Sequence, residues 1–355
     1  MDGFFDAIGR FLGLDSFAAG VWFARQGEAI AHGRYWWPYL VAGLLAALFA
    51  YGIGVRPLAA RKGLRGLIAF LIPIKLWRRR SALVDVKMFA LNKGLEVVGL
   101  FSMSALAIVS AAIIATWTGV DFDLASADAV STTEAVILVI MLVAALDLAE
   151  YAAHRMCHEV KALWAFHRVH HSATTLTPLT ASRIHPVEIL FESSLMALFA
   201  GPVIVFGTAV FGGMDLVLIL GTNAFYAILQ LSFTHLRHSH VFLRYPKPLC
   251  WIFSSPAQHQ VHHSRAERHW DRNYGEVFAI WDILFGTYIR PRKNERLVFG
   301  LSADNGVYRP RPHETLKDAL SEPFIWVRRL WAERRAEKAA QAQNSVSTEP
   351  SREAA

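Results

Sequence analysis

Eight histidines fall into three matched patterns along this chain: His154 and His158, then His167, His170 and His171, then His259, His262 and His263. Thirteen of the fifteen histidines lie between His154 and His269. Neutral imidazole is a borderline-soft nitrogen donor that suits iron, zinc, copper or nickel. On a helix, residues three and four apart share a face, so His154 and His158 can address one point, and His170 and His171 lie near the face of His167. On one straight helix His154 and His167 would differ by roughly 220° in direction. The two clusters can therefore serve one site only if the chain bends between them, and Glu159-Val160-Lys161 is the place. One such histidine is ordinarily a hydrogen-bonded surface or core residue, but three clusters of one design are not accounted for in that way.

The elements that must hold these histidines are apolar. The chain is 54% hydrophobic with only 18% charged residues, a mean hydropathy of +0.31, and runs that approach or exceed a bilayer's thickness. The fold expected is all-α, a polytopic membrane helical bundle with a cytoplasmic, histidine-lined cap. Spans are expected at 37–55, 95–117, 135–153, 187–211 and 214–233. Residues 1–34 read as an amphipathic interfacial segment and 35–134 as N-terminal spans with a basic loop. Residues 293–335 follow as a cytoplasmic segment and 336–355 as a disordered tail or a frayed helix. Between residues 56 and 93 ten basic side chains face one acid, Asp85, whereas 118–134 holds Asp121, Asp123, Asp128 and Glu134 and no base. By the positive-inside rule the first loop is cytoplasmic and the second is not. Five spans then leave every histidine cluster inside and the amino terminus outside, in a cell's inner membrane. The net charge of +7 fits anionic lipid head groups rather than nucleic acid. Two cysteines offer no disulfide framework, and Cys157 reads as a small buried filler.

Carboxylates near the first cluster are candidates for orienting imidazoles, because a charge beside a bilayer span is costly to keep there. Asp147 and Glu150 stand seven and four residues before His154, roughly on its face. Asn273 sits in a turn expected behind the third cluster, and Asp282 can accept a hydrogen bond from an imidazole or cap a helix. After the hairpin come His235, His238 and His240. A continuing helix pairs His235 with His238, whereas an extended exit pairs His238 with His240.

The strings HRMCH, WAFHRVHHS, SRIHPVE, HSH, SPAQHQVHHS, NYGE and WDILFGTY resemble, in order, the fatty acid hydroxylase/sterol desaturase superfamily of membrane di-iron enzymes. The resemblance covers roughly residues 135–292, the segment expected to be catalytic. It implies two non-haem iron ions, O2 as cosubstrate and a lipid substrate. It implies as ligands His154, His158, His167, His170, His171, His259, His262 and His263, with His238 as a ninth and His235 or His240 as the other choices. His185, in R-x-H-P, is a ligand or an orienting group. The sequence shows no haem-attachment motif, dinucleotide-binding glycine pattern or iron–sulfur cysteine cluster, so electrons are expected from an external donor. Desaturation on the same scaffold is the near alternative to hydroxylation. A histidine-rich metal transporter is the alternative of a different class, although its ligands belong near a bilayer midplane. A bis-histidine haem protein would need single histidines on facing spans.

Overall fold

The computed structural model describes residues 37–53, 63–97, 103–121, 131–211, 233–293, 295–302 and 313–347. Among these residues there is no β-strand, only isolated bridges between Phe253 and Phe278 and between Ser264 and Phe299. The helices run in chain order as α1 (Trp37–Gly52), α2 (Leu64–Leu71), α3 (Ile74–Trp77), α4 (Arg80–Val97), α5 (Met103–Thr118), α6 (Thr132–Glu159), α7 (Lys161–His171) and α8 (Pro186–Phe211). Three short helices follow, α9 (Lys247–Ile252), α10 (Pro256–His262) and α11 (Ile280–Leu284), and α12 (Leu316–Ser347) ends the described chain.

The frame is a three-helix packing of α5, α6 and α8 around Ala107, Leu138, Leu142, Leu146, Ala197 and Ala200. Ser131 opens α6 with a reciprocal capping box: its hydroxyl accepts from the Glu134 N–H at 3.4 Å, and Glu134 Oε2 accepts from the Ser131 N–H at 2.8 Å, satisfying donors that a helix start leaves free. Small residues let the helices come close. At Gly201 a Cβ would overlap the Ser110 hydroxyl and lie 3.1 Å from the Ala111 nitrogen.

Helix α6 stops at Glu159, Val160 takes an extended conformation (φ −91°, ψ 108°), and α7 starts at Lys161. The bend expected between the first two histidine clusters is therefore present. On its far side α7 is braced by α4 and α12, where Val84, Met88, Val169 and Ala319 form a small core and the Arg168 guanidinium lies 4.1 Å over the Trp326 ring. Arg183, 1% exposed, knits these elements together. It donates to Asp85 Oδ1 at 3.0 Å, to the Val169 carbonyl at 2.8 Å, to Ser172 Oγ at 2.8 Å and to the His313 carbonyl at 2.9 Å. Asp85 also accepts from the hydroxyls of Thr177 and Thr180.

Several expectations change. Residues 80–93, read as loop, are helical and continue to Val97, because loop charge reports membrane sidedness and not backbone conformation; of the span placed at 95–117, residues 95–97 belong to α4 and 103–117 to α5, and 98–102 lie outside the described residues. Residues 336–347, read as disordered or a frayed helix, continue α12, consistent with the Ala, Glu, Lys and Gln between 336 and 343. Two described helices, α6 and α8, are long and apolar enough to cross a membrane, and α1 and α5 carry shorter apolar stretches. The segment 1–34, nearly all of the hairpin's second arm and most of the acidic loop lie outside the described residues.

Candidate metal centre

The structure sorts nine histidines into two adjoining groups. His154, His158, His167, His171 and His262 form one, and His170, His238, His259 and His263 the other, with one ring nitrogen from each residue lying within 4.8 Å of the rest of its group. The chain neighbours His170 and His171 belong to different groups, and the rings of His171 and His263 stack across the boundary with centroids 4.6 Å apart.

The hydrogen bonds decide which nitrogens face inward. His154 Nδ1 lies 2.8 Å from the Tyr274 carbonyl, His262 Nδ1 2.8 Å from the Arg272 carbonyl, and His167 Nδ1 2.5 Å from Glu188 Oε1. Carbonyl and carboxylate oxygens accept, so each Nδ1 carries the proton and each Nε2 presents a bare lone pair. Those lone pairs converge: His171 Nε2 is 3.1 Å from the Nε2 atoms of His158, His167 and His262. His154 Nε2 is buried with no hydrogen-bond partner. In the second group His238 Nε2 is 2.9, 3.0 and 3.2 Å from Nε2 of His259, His263 and His170. Converging lone pairs in a water-poor interior repel one another and lack donors, and a cation at each centre answers both defects. Burial, followed by the neighbouring imidazoles, holds His171, His259 and His263 well below the usual imidazole range. Burial and then His154 bring His170 to about 3. Neutral imidazole is the form a metal binds.

The spacing also bears on the metal. Donors at a typical metal–nitrogen distance have edges of about 3.4 Å in a tetrahedron and about 3.0 Å in an octahedron. The observed edges of 2.9–3.2 Å are close to such values, and the two groups offer five and four imidazole donors.

The other sequence candidates lie elsewhere. The chain passes Thr234–Leu236 as a 3-10 turn, so neither the helical nor the extended pairing holds and His238 enters the second group without its neighbours. His235 packs against Gly43, and His240 lies edge-on to Phe70 at 5.0 Å. His185 Nδ1 accepts from the Val187 N–H while its Nε2 lies 3.2 Å from the Leu320 carbonyl. Asp147 reaches no imidazole. It accepts from the Val277 and Phe278 N–H groups and from the Trp281 indole. Asp282 accepts from the Tyr274 and Gly275 N–H groups and from Thr287 Oγ1. It thus fixes the turn whose carbonyl orients His154. Asn273, at φ +56°, donates to the Gln258 carbonyl and accepts from the Ile289 N–H.

Sequence reasoning missed Glu188, Gln258 and Gln260. Glu188 was legible as a carboxylate opening an apolar helix; with Cys157, His167 and Glu192 it forms a further cluster of donor atoms. Gln258 completes a capping box with Ser255 that starts α10. Gln260 Nε2 donates to the carbonyls of Leu236, Ser239 and Val241, clasping the loop that delivers His238. Glu188→Gln retains an acceptor but loses the charge, and metal affinity is expected to fall about tenfold, with Glu188→Ala nearer 100-fold; chelator competition measures both. Gln260→Leu leaves three carbonyls unanswered and frees the His238 loop, so metal is expected to be lost from the second group alone.

Residues 139–287 match the family model described as fatty acid hydroxylase. They are a fatty acid hydroxylase domain. The domain contains all nine inward-facing imidazoles, together with Glu188, Gln260 and Asp282. The ornithine lipid hydroxylase of Rhizobium tropici is 34% identical over 156 residues, which is 43% of this chain and 42% of that protein. Human alkylglycerol monooxygenase is 32% identical over 168 residues, 46% of this chain and 33% of that protein. A Delta(7)-sterol 5(6)-desaturase of Candida glabrata is 28% identical over 145 residues, 41% and 34% of the two chains. The chain thus spans less than half the length of these curated relatives. No solved structure matches it.

Proposed function

We propose that the protein is an O2-dependent di-iron membrane enzyme that hydroxylates a C–H bond of a lipid. The observation that carries this reading is the pair of adjoining imidazole groups, five and four, with their Nε2 lone pairs turned inward. His154, His158, His167, His171 and His262 would hold one ion, and His170, His238, His259 and His263 the other. Iron bound there supplies the one-electron and O2 chemistry that side chains cannot. The chain's own residues set the conditions. Tyr274, Arg272 and Glu188 fix ring orientation and tautomer through Nδ1, and burial keeps water from the site. Hydroxylation consumes O2, two electrons and two protons, giving one hydroxyl and one water. The electrons come, on this reading, from an external donor.

A lipid substrate is supported by the relatives named for ornithine lipid and alkylglycerol and by apolar helices that end at the site. Desaturation is the second reading, favoured by the sterol desaturase relative; it needs the same site and a differently placed substrate. A transporter fits less well, since His154 and His158 lie in the last two turns of α6 and not at its middle. The five-span arrangement, with the catalytic segment 135–292 on the cytoplasmic side of an inner membrane, belongs to this proposal. Reporter fusions at residues 30, 70, 125 and 330 test it, and a cytoplasmic signal at 125 overturns it. Metal analysis with an optical spectrum tests the cofactor: two iron ions per chain without a haem Soret band are expected. A haem, or zinc with no activity after iron reconstitution, refutes it.

A further inference from the structure

The cap that completes the metal centre is not uniformly polar outside. In residues 248–253 and 277–287 every exposed residue is apolar or glycine. Leu249, Trp251, Ile252, Ile280, Ile283 and Leu284 are 39–66% exposed, and the one charged residue of these segments, Asp282, is 1% exposed and turned inward. The two segments are one surface: the Ala279 N–H donates to the Ile252 carbonyl at 2.9 Å, and Phe253 and Phe278 pair across a bridge. At the margin the Lys247 ammonium lies 5.5 Å over the Trp251 ring, an aromatic and basic edge of the sort found where a membrane meets water.

Depth along α6 identifies what covers this surface. A hydrocarbon core takes about 20 helical residues, which counted from Ala135 ends near His154. Asp147 then lies about 10 Å inside that boundary. The cap reaches this level, because Val277, Phe278 and Trp281 all donate to Asp147 and Phe285 stacks on Tyr151 at 5.4 Å. The loop's backbone suits such a depth, where unpaired N–H groups are costly. Besides the donors already given, the Thr287 and Tyr288 N–H groups both bond the Asp282 carbonyl.

We propose that the apolar face of α9 and α11 is immersed in the bilayer and covered by lipid acyl chains, so that the cap grips α6 below the membrane surface. The proposal rests on the reading of α6 as a membrane span. It places the turn that orients His154 beside hydrocarbon rather than in the cytoplasm.

The two native cysteines are buried, so single introduced cysteines can be labelled selectively in the full chain. Leu284→Cys and Ile252→Cys carry an environment-sensitive fluorophore in phosphatidylcholine nanodiscs, with Glu267→Cys as the exposed polar reference. Loss of fluorescence with nitroxide on the lipid acyl chains, and none with aqueous iodide, is expected at 284 and 252, with the reverse at 267. Iodide quenching at either 284 or 252 overturns the proposal. Metal content shows that each labelled cap is folded, and Ile283→Cys replaces a variant that is not. Lipid products formed by a protein whose position 284 faces water would sink this inference alone. A lipid-immersed face without any lipid product would sink the hydroxylase reading alone.

Discussion

His171→Ala is expected to abolish lipid oxidation while leaving the protein in the membrane. Its Nε2 is the hub of the first group, 3.1 Å from three other imidazole nitrogens, and its ring touches the second group through His263. Removing an orienting partner costs 10–100-fold in metal affinity or activity, and removing a hub donor costs more. His262→Ala acts on the same group, while His238→Ala empties the second and leaves about one metal per chain. His235→Ala and His240→Ala are expected to keep both metals. Retention of full metal content and product by His171→Ala would count against the centre as described, as would metal loss in His235→Ala with none in His238→Ala.

Arg183→Ala carries the largest expected cost in stability. Arg183 and Asp85 are 1% and 0% exposed, and removing one partner of a buried pair leaves an uncompensated charge, at a cost of about 3–5 kcal/mol. Arg183 also answers the Val169, Ser81 and His313 carbonyls and Ser172 Oγ, so α7, α4 and the start of the C-terminal segment loosen together. Arg183→Lys is expected to recover little, since an ammonium cannot reproduce the planar fork. Asp85→Ala should be nearly as damaging, and the double variant far from the sum of the two. Apparent melting temperature and folded yield in detergent measure these effects. An Arg183→Ala protein as stable as the parent would contradict the role given to this node.

How much of this was legible in the chain depends on the distance over which each feature is decided. The bend at Val160 followed from angular bookkeeping over thirteen residues. Spacing drew the histidines of each cluster together but not the split that puts His170 and His171 in different groups, and the preference for His238 over His235 came from the resemblance, because local geometry left two pairings open. What spacing cannot reveal is which distant group answers an imidazole's outer nitrogen. Carboxylates on the first cluster's own helix looked like the partners, yet Asp147 holds the loop at Val277, and the protons at Nδ1 go to Glu188 and to backbone carbonyls of Tyr274 and Arg272. Carbonyls leave no mark in a sequence. Asp85 stood out as one acid among ten bases but was read through its loop's charge; its partner lies 98 residues on. Helix α4 was lost to the same cause, since counting charges addresses a side of the membrane and says nothing of φ and ψ.

The central claim, oxidation of a lipid at this centre, is tested most directly by lipid mass spectrometry. Cells carrying the protein, cells lacking it and cells carrying His171→Ala are grown under 18O2 and their lipids compared. A lipid that gains one labelled oxygen in the first cells alone is the result expected here. A lipid that loses two hydrogens without gaining oxygen would replace hydroxylation by desaturation, and identical lipids in all three would contradict the account.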